Sequence, residues 1–297
     1  MALYQITHET DYLYAVPVSQ SQQMLHLRPR PLPYQKLLQH ELHITPQPSR
    51  ENATVDYFGN PCSFLEFVRP HLRLSVSAET RIEVMPREGC DFATSPAWEQ
   101  VAQSCLYTGK PVSDELMEAL AFRQESPFVR IKHLFSDYAM DCFSPERPLL
   151  EAANALMLKI NEEFIFDVEA TQIATPLTHV LEEKRGVCQD FAHLMLACLR
   201  SLGLPARYVS GYLLTQPPPG QERLIGADAS HAWVAVYCPE HGWIEFDPTN
   251  AVLPGTQHIT LAWGRDFSDV SPLRGIILGG GDHGMDVRVT VMPQGDK

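Results

Sequence analysis

A chain of 297 residues, 44% hydrophobic and 20% charged, has the length for one large or two ordinary domains and the makeup of a globular protein. Its formal charge of −13 argues against nucleic acid and against an anionic membrane surface, both of which ask for a basic footprint, and no apolar run approaches the roughly 18 residues that span a bilayer. Met1 to Asp11 lacks a basic segment followed by an apolar run, so no secretory leader is expected, and seven cysteines scattered without paired spacing suggest a reduced, cytoplasmic protein.

Residues 1–90 read as strands. Leu3 to Val16 is rich in Tyr, Ile and Val, and Leu38 to Ile44 alternates apolar with polar. The turn around Gly59-Asn60-Pro61 joins Thr54–Phe58 to Ser63–Val68 as a hairpin, and from His71 to Val84 the residues Leu72, Leu74, Val76, Ala78, Ile82 and Val84 share one face. The Pro-rich stretch Arg28 to Pro33 is an extended connector. Together these strands predict a small antiparallel β-sandwich.

Residues 91–160 change to helical spacing: after Pro96, over Asp114–Phe122, over Phe128–Phe135 and over Leu149–Ile160, with Ser113-Asp114 and Ser126-Pro127 as starts. This segment is expected to pack on residues 161–297. There Phe164-Ile-Phe166 reads as a short strand, and Thr175-Pro176 opens a helix that runs through Glu183.

The next helix is the centre of the reading. Ala192, Met195, Leu196, Leu199 and Leu202 fall at helical spacing, while Phe191, Leu194 and Cys198 fill the other side, so the helix is apolar nearly all round and belongs inside. Gly186 breaks the chain before it and Gly203 and Pro205 stop it, which puts Cys188 in the first turn. Unpaired amides and the positive end of the helix dipole favour a thiolate at such a position.

Two strands follow, His231–Tyr237 and Trp243–Asp247, joined by the turn Cys238-Pro-Glu-His-Gly242. A hairpin returns the chain on itself, so His231 and Asp247 lie at the same open end, and with strands about 4.8 Å apart a slip of one or two residues still leaves imidazole within reach of carboxylate. Taken singly, each residue has a duller explanation: a buried cysteine, a solvated histidine, an aspartate capping a turn. Together they are the parts of a thiol-dependent acyl-transfer site. Cys188 would attack a carbonyl, His231 would take and return a proton, and Asp247 would orient the ring.

Around them the assignments are looser. A strand Ala206–Tyr212 beside His231–Tyr237 would bring Tyr212 near His231, so Tyr212 and Trp233 are candidate substrate walls. The Cys188 amide is one oxyanion donor, with Gln189 and Gln172 as candidates for another. No C-x-x-C or H-E-x-x-H spacing exists, so no metal and no cofactor are expected. Further on, His258–Trp263 and Met285–Val291 read as strands, and the triple glycine at 279–281 as a turn.

Gly186-Val-Cys188-Gln-Asp190-Phe-Ala-His193, Leu202-Gly-Leu-Pro-Ala-Arg-Tyr208-Val-Ser-Gly-Tyr212, Ser230-His231-Ala-Trp233 and Gly242-Trp243 to Phe246-Asp247-Pro-Thr249 resemble, block by block, the core of the bacterial transglutaminase-like superfamily over about residues 150–255. The resemblance implies an α+β protein: the N-terminal antiparallel β-sandwich, similar to the β domain preceding the core in the bacterial group, then a papain-like core with a central helix packed on an antiparallel sheet. It implies Cys188 as nucleophile, His231 as base and Asp247 as orienting carboxylate. Members include transglutaminases, thiol proteases and amidases, so the expected activity is acyl transfer on a peptide or protein substrate through a Cys acyl-enzyme, to water or to an amine. The alternative is a catalytically silent peptide-binding or assembly module that keeps the fold.

Overall fold

The computed structural model describes residues 1–107, 109, 111–215 and 230–295. Five strands open the chain, β1 (Ala2–Leu25), β2 (Gln35–Thr45), β3 (Arg50–Val55), β4 (Pro61–Phe67) and β5 (His71–Val84), in the spatial order β2-β5-β1-β4-β3. β1 is longer than its alternation predicts because it serves two sets of partners. Ala2–Leu13 pairs with β5 and Ser21–Leu25 with β4, and the register breaks in between. The sheet curls at that break, so Leu25, Leu65 and Phe67 from one half share a core with Tyr14, Leu74 and Val76 from the other.

The helices α1 (Trp98–Ser104), α2 (Asp114–Leu120), α3 (His133–Ala139) and α4 (Leu149–Glu163) follow. Ser113 caps α2, its hydroxyl accepting from the Leu116 amide at 3.2 Å. The helix predicted over Phe128–Phe135 begins only at His133, and the amides ahead of it go to tertiary partners. Phe128 donates to Asp266, Ile131 to Glu125 and Lys132 to the Ser201 hydroxyl.

The chain then runs through β6 (Ile165–Phe166), α5 (Leu177–Glu183) and β7 (Arg185–Gly186) into α6 (Cys188–Ser201), with β6 and β7 paired in parallel. Every residue of α6 from Asp190 to Arg200 is buried, as its all-round apolarity requires. Gly203, at φ +81°, ends it and lets its own amide and that of Leu204 reach back to the carbonyls of Arg200 and Leu199.

A second antiparallel sheet is built from β8 (Ala206–Leu213), β9 (Ser230–Cys238), β10 (Gly242–Phe246) and β11 (His258–Gly264), in the order β10-β9-β8-β11. α6 packs on β8 and β9, burying Ala232, Val234 and Val236 in the main core. A smaller cluster of Val209, Trp233, Ala235 and Trp263 packs with Phe58 and Phe122. Strands covered on both faces read as near-continuous apolar runs rather than alternations. Gly211 is required where β8 meets β11, since a Cβ there would fall 2.1 Å from the Ile259 carbonyl oxygen and 2.5 Å from the Trp233 ring.

After the short α7 (Phe267–Val270), β12 (Leu273–Gly279) and β13 (His283–Pro293) rejoin the first sheet. β13 pairs with β1 over Tyr4–Tyr14 and β12 over Val18–Leu25, so the strand predicted at Met285–Val291 forms and closes against the start of the chain. The two sheets are joined by side chains. The Gln35 amide group meets the backbone of Thr260 in both directions (2.7 and 3.0 Å), and the Tyr212 hydroxyl lies 2.9 Å from His8 Nδ1. Among the described residues no helix is long and apolar enough to cross a membrane.

Candidate active site

Cys188 is the first residue of α6 and half-buried. The Asp190 and Phe191 amides bond back to the Val187 carbonyl, and Cys188 stands in that first turn at the positive end of the helix dipole. The turn that presents it is held by Asp190, whose Oδ2 accepts from the Val187 amide at 2.9 Å and from the Thr171 hydroxyl at 2.6 Å. A Cβ at position 186 would fall 2.6 Å from that same oxygen, which accounts for Gly186. Burial raises the Asp190 carboxyl, while the bonds from Thr171 and Val187 oppose the shift.

His231 stands near the start of β9 and Asp247 just past the end of β10, and the register pairs Phe246 with Val234. The hairpin therefore brings the two to one end, as the turn predicts. His231 Nε2 lies 2.7 Å from Asp247 Oδ2, and Cys188 is near enough to favour the protonated ring. Burial works against an imidazolium here, yet the hydrogen bonds and charges of Asp247 and Cys188 outweigh it and push His231 up to about 10. Asp247 is fully buried, which by itself would raise its pKa; bonds from His231, His258 and Asn250 instead hold it well below the usual carboxylate range. Such a site keeps a negative carboxylate behind a ring that can carry a proton to and from sulfur.

The other candidates are placed differently. Tyr212 is 1% exposed and its hydroxyl is turned to His8, so it joins the two sheets and presents no surface to a substrate. Trp233 is fully buried under the histidines, with ring centroids 6.0 Å from His231 and 5.3 Å from His258, and its indole N–H donates to Glu245. Gln189 follows Cys188 in the first turn and is half-buried. Gln172 is exposed, with its backbone N–H donating to the Thr175 hydroxyl. Elsewhere on α6, His193 accepts from the Phe267 amide at 3.1 Å and Cys198 is fully buried.

Two residues that the sequence did not single out complete the site. Asn250 Nδ2 lies 2.7 Å from Asp247 Oδ2 and 3.3 Å from His231 Nε2, and His258 Nε2 lies 3.0 Å from the same carboxylate oxygen. Asn250 could have been suspected from an Asp-Pro-Thr-Asn turn, in which the side chain of the fourth residue can return to the first. His258 gave only the weak signal of a histidine opening an apolar strand. His231, Asp247 and His258 offer ligand atoms within 4.8 Å of one another, a set that could hold a cation; hydrogen bonding already accounts for the arrangement.

The transglutaminase-like superfamily model matches residues 136–248, and the bacterial transglutaminase-like N-terminal region matches residues 4–83. The uncharacterized protein Rv2569c of Mycobacterium tuberculosis is 37% identical over 99% of this chain and 94% of its own. The chain belongs to the transglutaminase-like superfamily. Another member-length relative, the uncharacterized protein ML0607 of Mycobacterium leprae, is 30% identical over 96% of this chain and 97% of its own. The fold is that of a candidate cysteine protease from Cytophaga hutchinsonii, with a TM-score of 0.73 at 19% identity over 100% of this chain and 92% of that one. A shorter match, 38% identity over 25% of this chain and 11% of the other, is to a protein-glutamine gamma-glutamyltransferase of Pseudomonas aeruginosa.

Proposed function

We propose that this superfamily member is a thiol acyl-transfer enzyme acting on a peptide or amide carbonyl. The Cys188 thiolate attacks the carbonyl carbon and forms the C–S bond. The C–N bond breaks as the His231 imidazolium gives its proton to the departing amine. His231 then takes a proton from water or an incoming amine, which attacks the thioester and frees the sulfur. Asp247 keeps its charge throughout and holds the ring, and the Cys188 amide is suited to receive the developing oxyanion. The observation that carries this reading is the imidazole held 2.7 Å from a buried carboxylate, with Cys188 at the helix start near enough to favour its protonated form. The seven free thiols suit a reducing compartment such as the cytoplasm.

An activated ester such as p-nitrophenyl acetate tests the chemistry without a known substrate. A burst of nitrophenol with acetyl on Cys188, absent in Cys188→Ala and His231→Ala, is expected. Acetylation spread over other residues, or unchanged in those variants, would overturn the reading. Mass spectrometry of a Gln-containing peptide, with and without a primary amine, then separates acceptors: amine incorporation means transglutamination, whereas cleavage or conversion to acid means hydrolysis.

A further inference from the structure

We propose that His258 is a positioning residue for this reaction, fixing the carboxylate of Asp247 from a strand that the N-terminal sheet in turn holds in place. The proposal rests on the acyl-transfer reading of Cys188, His231 and Asp247. Its first support is the direction of the bonds. The Gly255 amide points at His258 Nδ1 at 3.4 Å, so Nδ1 is the acceptor and the ring hydrogen sits on Nε2, 3.0 Å from Asp247 Oδ2. Burial lowers the His258 pKa, with Asp247 opposing, which keeps this ring the neutral donor while His231 carries the charge.

The second support is where the donors come from. Asp247 Oδ1 accepts from the amides of Thr249 and Asn250 at 3.0 and 3.3 Å, and Oδ2 accepts from Asn250 Nδ2 at 2.7 Å. Those three donors belong to the turn that carries Asp247 and move with it. Besides His231, His258 is the described donor to Asp247 from a separate strand, so it can fix the carboxylate relative to the rest of the sheet.

The third support is what fixes His258. The Trp233 ring stands edge-on to it, Arg87 reaches its carbonyl at 3.5 Å, and two residues further on the Gln35 side chain pairs with the Thr260 backbone. Gln35 opens β2 and Arg87 follows β5, so the first sheet sets the position of the third group at the site. His258 also lies beyond the residues matched by the superfamily core.

The test compares two amides with wild type. His258→Gln can place an N–H near the position of Nε2, whereas His258→Asn can satisfy the Gly255 amide but falls short of Asp247. Iodoacetamide labelling of Cys188, followed across pH in the full chain, is the readout. The charged and titrating groups facing His258 are Asp247, His231 and Arg87, and only His231 sits between sulfur and carboxylate. For His258→Asn we expect labelling at neutral pH to slow about ten- to a hundredfold, and its upper pH limb to move lower because a loose carboxylate retains imidazolium less well. His258→Gln should restore both. A wild-type pH profile in folded His258→Asn, even with a lowered melting temperature, would reduce His258 to packing and overturn the proposal. If His258→Asn does not fold, the outcome passes to His258→Gln, where a folded protein with a downshifted limb also overturns it. Wild-type Cys188 no more reactive than the other thiols would instead strike the acyl-transfer reading itself.

Discussion

The two sheets treat their buried histidines in opposite ways. His8 in β1 is 1% exposed and His231 in β9 is 8% exposed, yet burial pushes His8 down to about 4 whereas His231 is held up at about 10. His8 meets the hydroxyls of Tyr212 and Thr10; His231 meets a carboxylate and a thiol. Depth is nearly the same, so the charge of the partner decides. The surrounding strands differ in the same sense. β13 is exposed from His283 to Arg288 and β3 along its whole length, while β8, β9 and β11 are buried almost throughout. The outer sheet closes the molecule and leaves one face to water, and the inner sheet, covered on both sides, supplies the dry surroundings in which an ion pair is strong.

The largest effect should come from the charged partnership. Cys188→Ala or His231→Ala is expected to lower kcat/KM on any accepted acyl donor by about 10⁴-fold or more, with Cys188→Ala leaving thermal unfolding near wild type, as kinetics and calorimetry would show. His231 also gives stability a sign: its raised pKa favours the fold below about pH 6.5, and that contribution fades as pH rises toward about 10. Urea denaturation of His231→Phe should accordingly show a flatter alkaline arm than wild type.

Packing comes next. Gly211→Ala forces a methyl into the Ile259 carbonyl and the Trp233 ring, and should cost about 3 kcal/mol or more in urea midpoint analysis, or prevent folding. The opposite histidine is a smaller lever. Because His8 falls from 6.5 to about 4 on folding, the unfolded chain binds the extra proton, and stability is lost as pH falls between those values, by about 2 kcal/mol at pH 5. His8→Phe should remove that portion of the acid slope, leaving the share of other buried histidines. The smallest effect belongs to the wet face: Val287→Thr in β13, 43% exposed, should change stability by less than about 0.5 kcal/mol.

The same contrast explains what could be read from residues alone. The Cys188 helix announces itself by apolarity around its whole circumference and by Gly186 and Gly203 at its ends. The His231–Asp247 pair follows from a short turn between two Val- and Trp-rich runs; both are local signals. His258 shows in sequence only as the start of a strand, because its nearness to Asp247 comes from β11 pairing with β8, after a loop whose path carries no periodicity. β12 was missed for a similar reason. Its partner is β1, some 250 residues earlier, and Gly275 is needed because the Gln22 carbonyl and Gln23 side chain leave no room for a Cβ. Tyr212 was expected beside a substrate on register alone; its neighbour Gly211 is the residue opposite His231, while Tyr212 itself points its hydroxyl to His8.

The most direct measurement is a competition among the seven thiols of the folded protein, labelled at pH 6 with isotopically coded iodoacetamide and read by peptide mass spectrometry. A sulfur joined to His231 and Asp247 should take up label far ahead of Cys62, Cys90, Cys105, Cys142, Cys198 and Cys238, and should lose that lead in His231→Ala. Equal labelling of Cys188 and the similarly half-buried Cys90, or a lead that survives the loss of the imidazole, would contradict a joined site.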